Sequence, residues 1–450
     1  MGDFDGSVIR PADHGYEEAR CAAVWNAIKP DRFPAVIVVA GSRDDVPRAV
    51  ALAREEGLSI GVRSGGHCWV GNAIRDGGLL LDLSRLKAIE VDPQALTASV
   101  ESGVIGGELT AALARHGLYF PTGHCPTVGV TGYTLGGGFG LNSGDVGVTA
   151  FSLRAIDVVT ADGETLHVTD DDDHADILWA ARGSGPGFFA VVTRMHFAVR
   201  PLPGVVAGMM QIHPFSAYDE LLPWSANTVA SMTPAARPLL VGAKSPIPGQ
   251  DDTVLIVTAY VFADDLDHAA ALLAPLETAP GLDRAPVHQP AHESSIGEQY
   301  ALIEQQYPEG PRYLGDNAWL RAPYGQDLWR DAKPLFETLP SQRSAIWFIP
   351  WKPQTHPNAA FSLQSEMSIA VFAAYEDSAD DEAMLAWHAD ALARVDPYAV
   401  GGMSNDSNLF VRPMAVLEPA KAARLEALRV KYDPNGRFDS YPSELPLARL

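Results

Sequence analysis

Through the first part of the chain, short apolar runs alternate with amphipathic stretches. Ala35-Val36-Ile37-Val38-Val39 is a continuous apolar run, the pattern of a strand covered on both faces. Ile60–Arg63, Leu79–Leu83, Ala88–Val91 and Thr97–Val100 predict further strands. Residues 16–28 predict a helix with Ala23, Trp25 and Ile28 among its apolar positions. Ser42 with Asp45 predicts the N-terminal cap of a helix through Ala53, and Gly107–Arg115 predicts another helix. Arg154–Thr160 and Thr165–Val168 form a hairpin pattern turning at Ala161-Asp162-Gly163. The acidic run Asp170–Asp173 reads as a solvated loop capping the helix before Trp179, and Ala190–Val199 alternates as a strand.

Pro201 and Pro203 mark a boundary, after which prolines are frequent and motifs stop. Helices over Asp264–Thr278 and Asp380–Ala393, with strands over Thr253–Val261 and Ser368–Ala374, predict an antiparallel sheet covered by helices. Pro419–Lys431 predicts a closing helix. The fold class is α+β, divided into residues 1–203, 204–412 and a C-terminal segment 413–450.

A length of 450 residues agrees with more than one domain. The net charge of −23 argues against nucleic acid and anionic membrane as partners. Three cysteines, Cys21, Cys68 and Cys125, give no disulfide framework. The N-terminus lacks the pattern of a signal peptide, and no stretch approaches the roughly 20 apolar residues of a membrane span. The expectation is a cytoplasmic monomer or homodimer acting on a small molecule.

Two glycine-rich segments carry the chemistry. One is Arg63-Ser64-Gly65-Gly66-His67; the other runs from Gly123-His124-Cys125-Pro126-Thr127-Val128-Gly129-Val130 to Gly136-Gly137-Gly138-Phe139-Gly140. Each sets a nucleophile, an imidazole or a thiol, among residues whose backbone can approach a flat ligand closely. The nicotinamide pattern fails at Gly136-x-Gly138, where Leu141 stands at the third glycine position, and at Gly183-x-Gly185, where Phe188 does. No Walker lysine follows either run. Backbone N–H groups in such loops suit a pyrophosphate. The adjacent pairs His67-Cys68 and His124-Cys125 also carry zinc-ligand chemistry, but adjacent residues rarely both reach one tetrahedral ion, so no metal is expected.

With Gly78 to Leu83, Val158-Val159-Thr160-Ala161-Asp162-Gly163, Leu178-Trp179-Ala180-Ala181-Arg182-Gly183 and Tyr432-Asp433-Pro434, these segments resemble the berberine-bridge-enzyme-like oxidases. That family belongs to the vanillyl-alcohol-oxidase group, with PCMH-type FAD-binding domains of two subdomains. The resemblance implies an FAD-binding domain over 1–203, a substrate-binding cap over 204–412, and a tail returning to the first. It implies FAD bonded covalently through His67, to the 8α-methyl, and Cys125, to C6. The implied cofactor contacts are Arg63, Ser64, Gly65, Gly66, His67, Cys125, Val128, Gly129, Val130, Gly132, Tyr133, Gly136, Gly137, Gly138, Gly140, Val191 and Tyr441. A valine at Val128 goes, in the family, with oxygen as electron acceptor. A thiolate is the reactive form of cysteine, and a nearby positive field would favour it.

The family's catalytic tyrosine falls in Gly402-Met403-Ser404-Asn405-Asp406, where Ser404 stands in its place. Glu366, Tyr375 and Tyr398 are the substitute candidates for the base. Tyr133 replaces a common histidine, Phe151-Ser152 an Asp-Asn pair, and Phe189 a glycine. The implied activity is oxidation of an alcohol, hemiacetal or C–N bond in a bulky secondary metabolite, with hydrogen peroxide as co-product. A carbohydrate oxidase is the alternative, with Trp319, Trp347, Trp351 and Trp387 as stacking faces; an amine oxidase and a non-catalytic flavoprotein follow.

Overall fold

A computed structural model describes residues 3–441. Three main sheets organise them, two built from the chain before Pro201 and one from the chain after it. In the first, Ser7–Ile9 pairs antiparallel with Val36–Val39, which continues in parallel to Leu79–Asp82 and then Ile60–Arg63. Val36–Val38 and Leu79–Leu81 are almost wholly buried, as parallel strands covered on both faces must be. The helix Asp45–Glu56 covers one face through Val46, Ala49, Val50 and Ala53. Asp45 does not pair with Ser42 as a capping box. Its buried carboxylate accepts from the backbone N–H groups of Asp5, Gly6 and Gly41 at 2.8–2.9 Å, tying the first strand down.

The second sheet is antiparallel, in the order Ile89–Asp92, Thr97–Glu101, Val191–Ala198, Leu153–Val159, Thr165–Thr169. One face packs on a core that includes Trp179, Phe189 and Phe197, and the helix Pro419–Tyr432 returns to this core through Leu425 and Leu428. Asp170 is not simply solvated. It takes a bidentate pair from buried Arg182 at 2.7 Å for each N–O contact, a geometry that fixes both groups.

The third sheet has eight antiparallel strands and spans Val205 to Gly401. Four helices, Tyr218–Ser231, Leu266–Leu273, Gln326–Glu337 and Asp381–Val395, cover one face with side chains such as Leu222, Leu273, Phe336 and Leu392. Strand alternation then assigns the other face. In Ala345–Pro350, Ile346 and Phe348 join the helix-side core while Trp347 and Ile349 face the opposite way, onto a cavity. In Met367–Tyr375, Ile369 and Val371 join that core while Ala370 and Phe372 face the cavity.

The helix expected over residues 16–28 ends at Ala22. Beyond it Trp25 donates its backbone N–H to Gly66 (2.9 Å), and Asn26 binds the carbonyls of Trp69 (3.1 Å) and Tyr313 (2.8 Å). Tertiary contacts thus replace the last helical turns. Similarly, Pro275 lies in a 3₁₀ turn over Ala274–Thr278 that follows the helix Leu266–Leu273.

Candidate flavin and substrate site

A cavity of about 390 Å³ lies between the glycine segments and the open face of the eight-stranded sheet. Gly65 and Gly129 bring the two segments into backbone contact. A Cβ built on Gly65 would stand 2.5 Å from the Gly129 Cα, so neither position accommodates a side chain without moving the other loop. This crossing sets His67 and Cys125 on the wall of one cavity. Arg63 stabilises the first loop from below: its Nη1 bonds to Asp82 (2.9 Å) and its Nη2 reaches the Gly65 carbonyl (3.3 Å).

The His67 ring stacks on Trp25, centroid to centroid 4.4 Å, and its Nε2 lies 3.0 Å from the Thr127 hydroxyl. Burial pulls its pKa down to about 4, so the imidazole is neutral and nucleophilic at ordinary pH. Cys125 lacks the positive field that would favour a thiolate. Burial first, and then the charges of Asp406 and Glu304, push its thiol up to about 12. The field at this thiol is negative, and in the protein alone it is held as S–H.

Of the other expected contacts, Ser64, Gly66, Val128, Gly132, Tyr133, Gly136 and Gly138 line the cavity. Val130, Gly137, Gly140 and Val191 lie behind its wall. Val130 and Val191 belong to the apolar cores, Gly137 abuts Phe361, and Gly140 abuts Pro121. Tyr441 packs on Gly187 and donates its hydroxyl to the Ser184 carbonyl, lining neither this cavity nor the one beside it. Tyr133 donates to the Pro121 carbonyl at 3.2 Å and presents its ring to the cavity.

The three candidate bases are not brought to the site. Glu366 precedes its strand, is exposed, and contributes its carbonyl to Trp351 N–H (2.8 Å). Tyr375 is of the helix-facing parity and donates to Asp381 (2.7 Å). Tyr398 packs against the helix-side core and donates to Asp331 (2.6 Å). Of the four tryptophans considered for stacking, Trp347 alone lines the cavity. Trp319 and Trp351 are buried with Phe139 and Phe361, and Trp387 bonds to Thr338 at 3.1 Å. Trp25, Trp69, Tyr307 and Phe372 line it instead, side chains that no local motif marked. Asp406 also lines it, on the turn whose tyrosine is missing.

The donor set fits FAD. Glycine positions leave the backbone bare along one wall, and aromatic and aliphatic side chains form the other, as a flat ring requires. A second cavity of about 130 Å³ shares Ser64, Gly132 and Gly185 with the first. It is lined also by Thr131, whose buried Oγ1 has no hydrogen-bond partner among the described residues and suits a ligand oxygen.

A model of the FAD binding domain family matches residues 34–169. The FAD-linked oxidoreductase nodO of Hypoxylon pulicicidum is 31% identical over 436 residues, covering 95% of each chain. Its counterpart janO of Penicillium janthinellum is 32% identical over 433 residues, covering 94% of each. The chain belongs to the FAD-linked oxidoreductases. Among solved structures, 6-hydroxy-D-nicotine oxidase from Arthrobacter nicotinovorans superposes with a TM-score of 0.83 at 25% identity, over 98% of both chains. Physcomitrella patens BBE-like 1 shares the fold with the same TM-score at 20% identity, over 98% of this chain and 97% of that one. This oxidoreductase therefore has the fold of the berberine-bridge-enzyme-like structure, and its FAD binding domain supports FAD as the cofactor.

Proposed function

We propose that this oxidoreductase holds FAD through two covalent bonds, at His67 and Cys125, and acts as an oxidase. The observation that carries the reading is the crossing at Gly65 and Gly129, which sets a neutral imidazole and a thiol on one cavity wall. Bound there, the flavin supplies a two-electron acceptor for a substrate hydride, with oxygen taking those electrons on to hydrogen peroxide. Val128 exposes a small side chain to the same cavity, leaving room for oxygen beside the ring.

The substrate is an alcohol, hemiacetal or C–N donor on an apolar skeleton. Leu239, Ile303, Ile349 and Phe372 line the cap side and favour an apolar skeleton, while Trp347 and Tyr307 beside them keep the carbohydrate reading as the alternative. The oxidase claim is tested without a substrate. The purified protein is photoreduced under argon and then mixed with aerated buffer. Reoxidation within seconds, with one peroxide formed per flavin and a slower rate in Val128→Leu, agrees with the reading. Reoxidation over many minutes, unaltered by Val128→Leu, contradicts it.

A further inference from the structure

The turn Met403–Asn408 replaces the family's tyrosine with residues that hold a carboxylate in place. Met403 N–H donates to Asn317 Oδ1 (2.7 Å), and Asn317 Nδ2 donates to Ser407 Oγ (3.1 Å). Asn405 Nδ2 donates to the Tyr133 carbonyl (3.1 Å), and its amide fills the space a side chain on Gly136 would need. Asp406 N–H and Ser407 N–H both return to the Met403 carbonyl, at 3.2 and 3.1 Å. The turn is thus pinned to the cap strand on one side and to the second glycine segment on the other.

The Asp406 side chain is open to the cavity, yet protein surrounds it. Among the described residues its carboxylate accepts no hydrogen bond and forms no ion pair. The charged group acting on it is Asp316, which repels it. Cys68 and Cys125 of the glycine segments face it and feel its charge, and His67 and His124 line the same cavity. Arg412, the cation nearest this network, is engaged with Asp316 (2.9 Å) and Asp396. A carboxylate with no protein partner that faces the cavity of the candidate flavin site, and whose charge reaches Cys68 and Cys125, is expected to have a use.

We propose that Asp406 is a catalytic residue that accepts the proton of the substrate's O–H or N–H. This rests on the flavoenzyme reading above. The O–H or N–H bond breaks and a carboxyl O–H bond forms. The electron pair left on the substrate oxygen or nitrogen makes the new double bond to carbon as the carbon-bound hydrogen leaves, with two electrons, for the flavin. Burial and the Asp316 charge raise the Asp406 pKa to about 6, which leaves the group ionised at neutral pH while making it a stronger base than an ordinary carboxylate. The same charge selects substrate: a neutral or cationic X–H donor on an apolar skeleton is accepted, and a carboxylate is repelled.

The test is calorimetric titration of the flavin-loaded protein with 2-naphthol and with 2-methoxynaphthalene, at pH about 5 and about 8, where naphthol stays neutral. The two probes share a skeleton and differ in one O–H. Naphthol is expected to bind about tenfold more tightly at the higher pH, the strength of a charge-assisted bond, while the ether is indifferent to pH. In Asp406→Asn the naphthol transition disappears and the ether is unaffected. Naphthol binding that is level with pH in the wild type, or a transition that survives in Asp406→Asn, overturns the proposal. Should Asp406→Asn lose both probes equally, its cavity has collapsed and the wild-type pair of probes decides. Flavin content of the same samples separates the two readings. Folded protein without flavin ends the flavoenzyme reading, whereas loaded protein with level naphthol binding ends the role of Asp406 alone.

Discussion

The two walls of the cavity differ in what they are made of. On the flavin-domain side the wall is backbone, from two glycine segments in contact at Gly65 and Gly129. On the cap side it is side chain, from Leu239, Trp347, Ile349 and Phe372 on alternate positions of one sheet face. A backbone wall recognises a ligand through groups every residue has, so its shape is fixed by where side chains must be missing. A side-chain wall is adjustable one residue at a time. The first suits a constant cofactor and the second a variable substrate.

The largest expected effect comes from filling the backbone wall. Gly65→Val forces a branched side chain into the Gly129 backbone, and purified protein should carry almost no flavin by absorbance. Full flavin occupancy in that variant would break the contrast between the walls. The next effect lies beneath the cap turn, where Arg412 is the partner of the fully buried Asp316. Arg412→Met leaves that carboxylate unpaired, a change that costs roughly 3–5 kcal/mol when a buried pair loses one member. Denaturant unfolding would measure it.

Asp406 gives a smaller, pH-dependent effect. Its folded pKa of about 6 lies above the ordinary carboxylate value, so between those values the native state binds more protons than the unfolded state. Its contribution to stability therefore falls as pH rises through that window. Asp406→Asn should raise the melting temperature at pH about 8 and change it little at pH about 3, below the ordinary aspartate value. The reverse order would remove the raised Asp406 pKa from the account. Smallest is Ile349→Leu on the substrate wall. A volume-conserving change of this kind costs under about 1.5 kcal/mol. It should alter KM for an apolar substrate and leave flavin content intact.

The same contrast explains what is legible in the sequence. Glycine spacing is local, so the segments around His67 and Cys125 are recognisable from residue order alone, and the fold sets them on one cavity. What local spacing does not carry is which side of a strand faces inward. Both faces of the eight-stranded sheet are apolar, one under helices and one over the cavity. Periodicity therefore cannot tell the helix-facing Tyr375 from the cavity-facing Phe372. Trp25 is hidden by a helical pattern that tertiary bonds to Gly66 cut short. Val130 and Val191 lie within the matched segments but behind the wall, where sequence spacing cannot distinguish lining from support. Asp406 stands in a segment whose alteration is plain in the sequence; the missing tyrosine points to Ser404 rather than to the acid two residues on.

The double attachment of the flavin is tested most directly by acid precipitation followed by intact mass measurement of the wild type, His67→Ala, Cys125→Ala and the double variant. The account predicts yellow colour and the mass of one FAD retained by the wild-type precipitate and by each single variant, each held by its remaining bond. It predicts release of all colour to the supernatant from the double variant alone. Release of the flavin from the wild type, or from either single variant while it is folded and loaded, would contradict two bonds at His67 and Cys125.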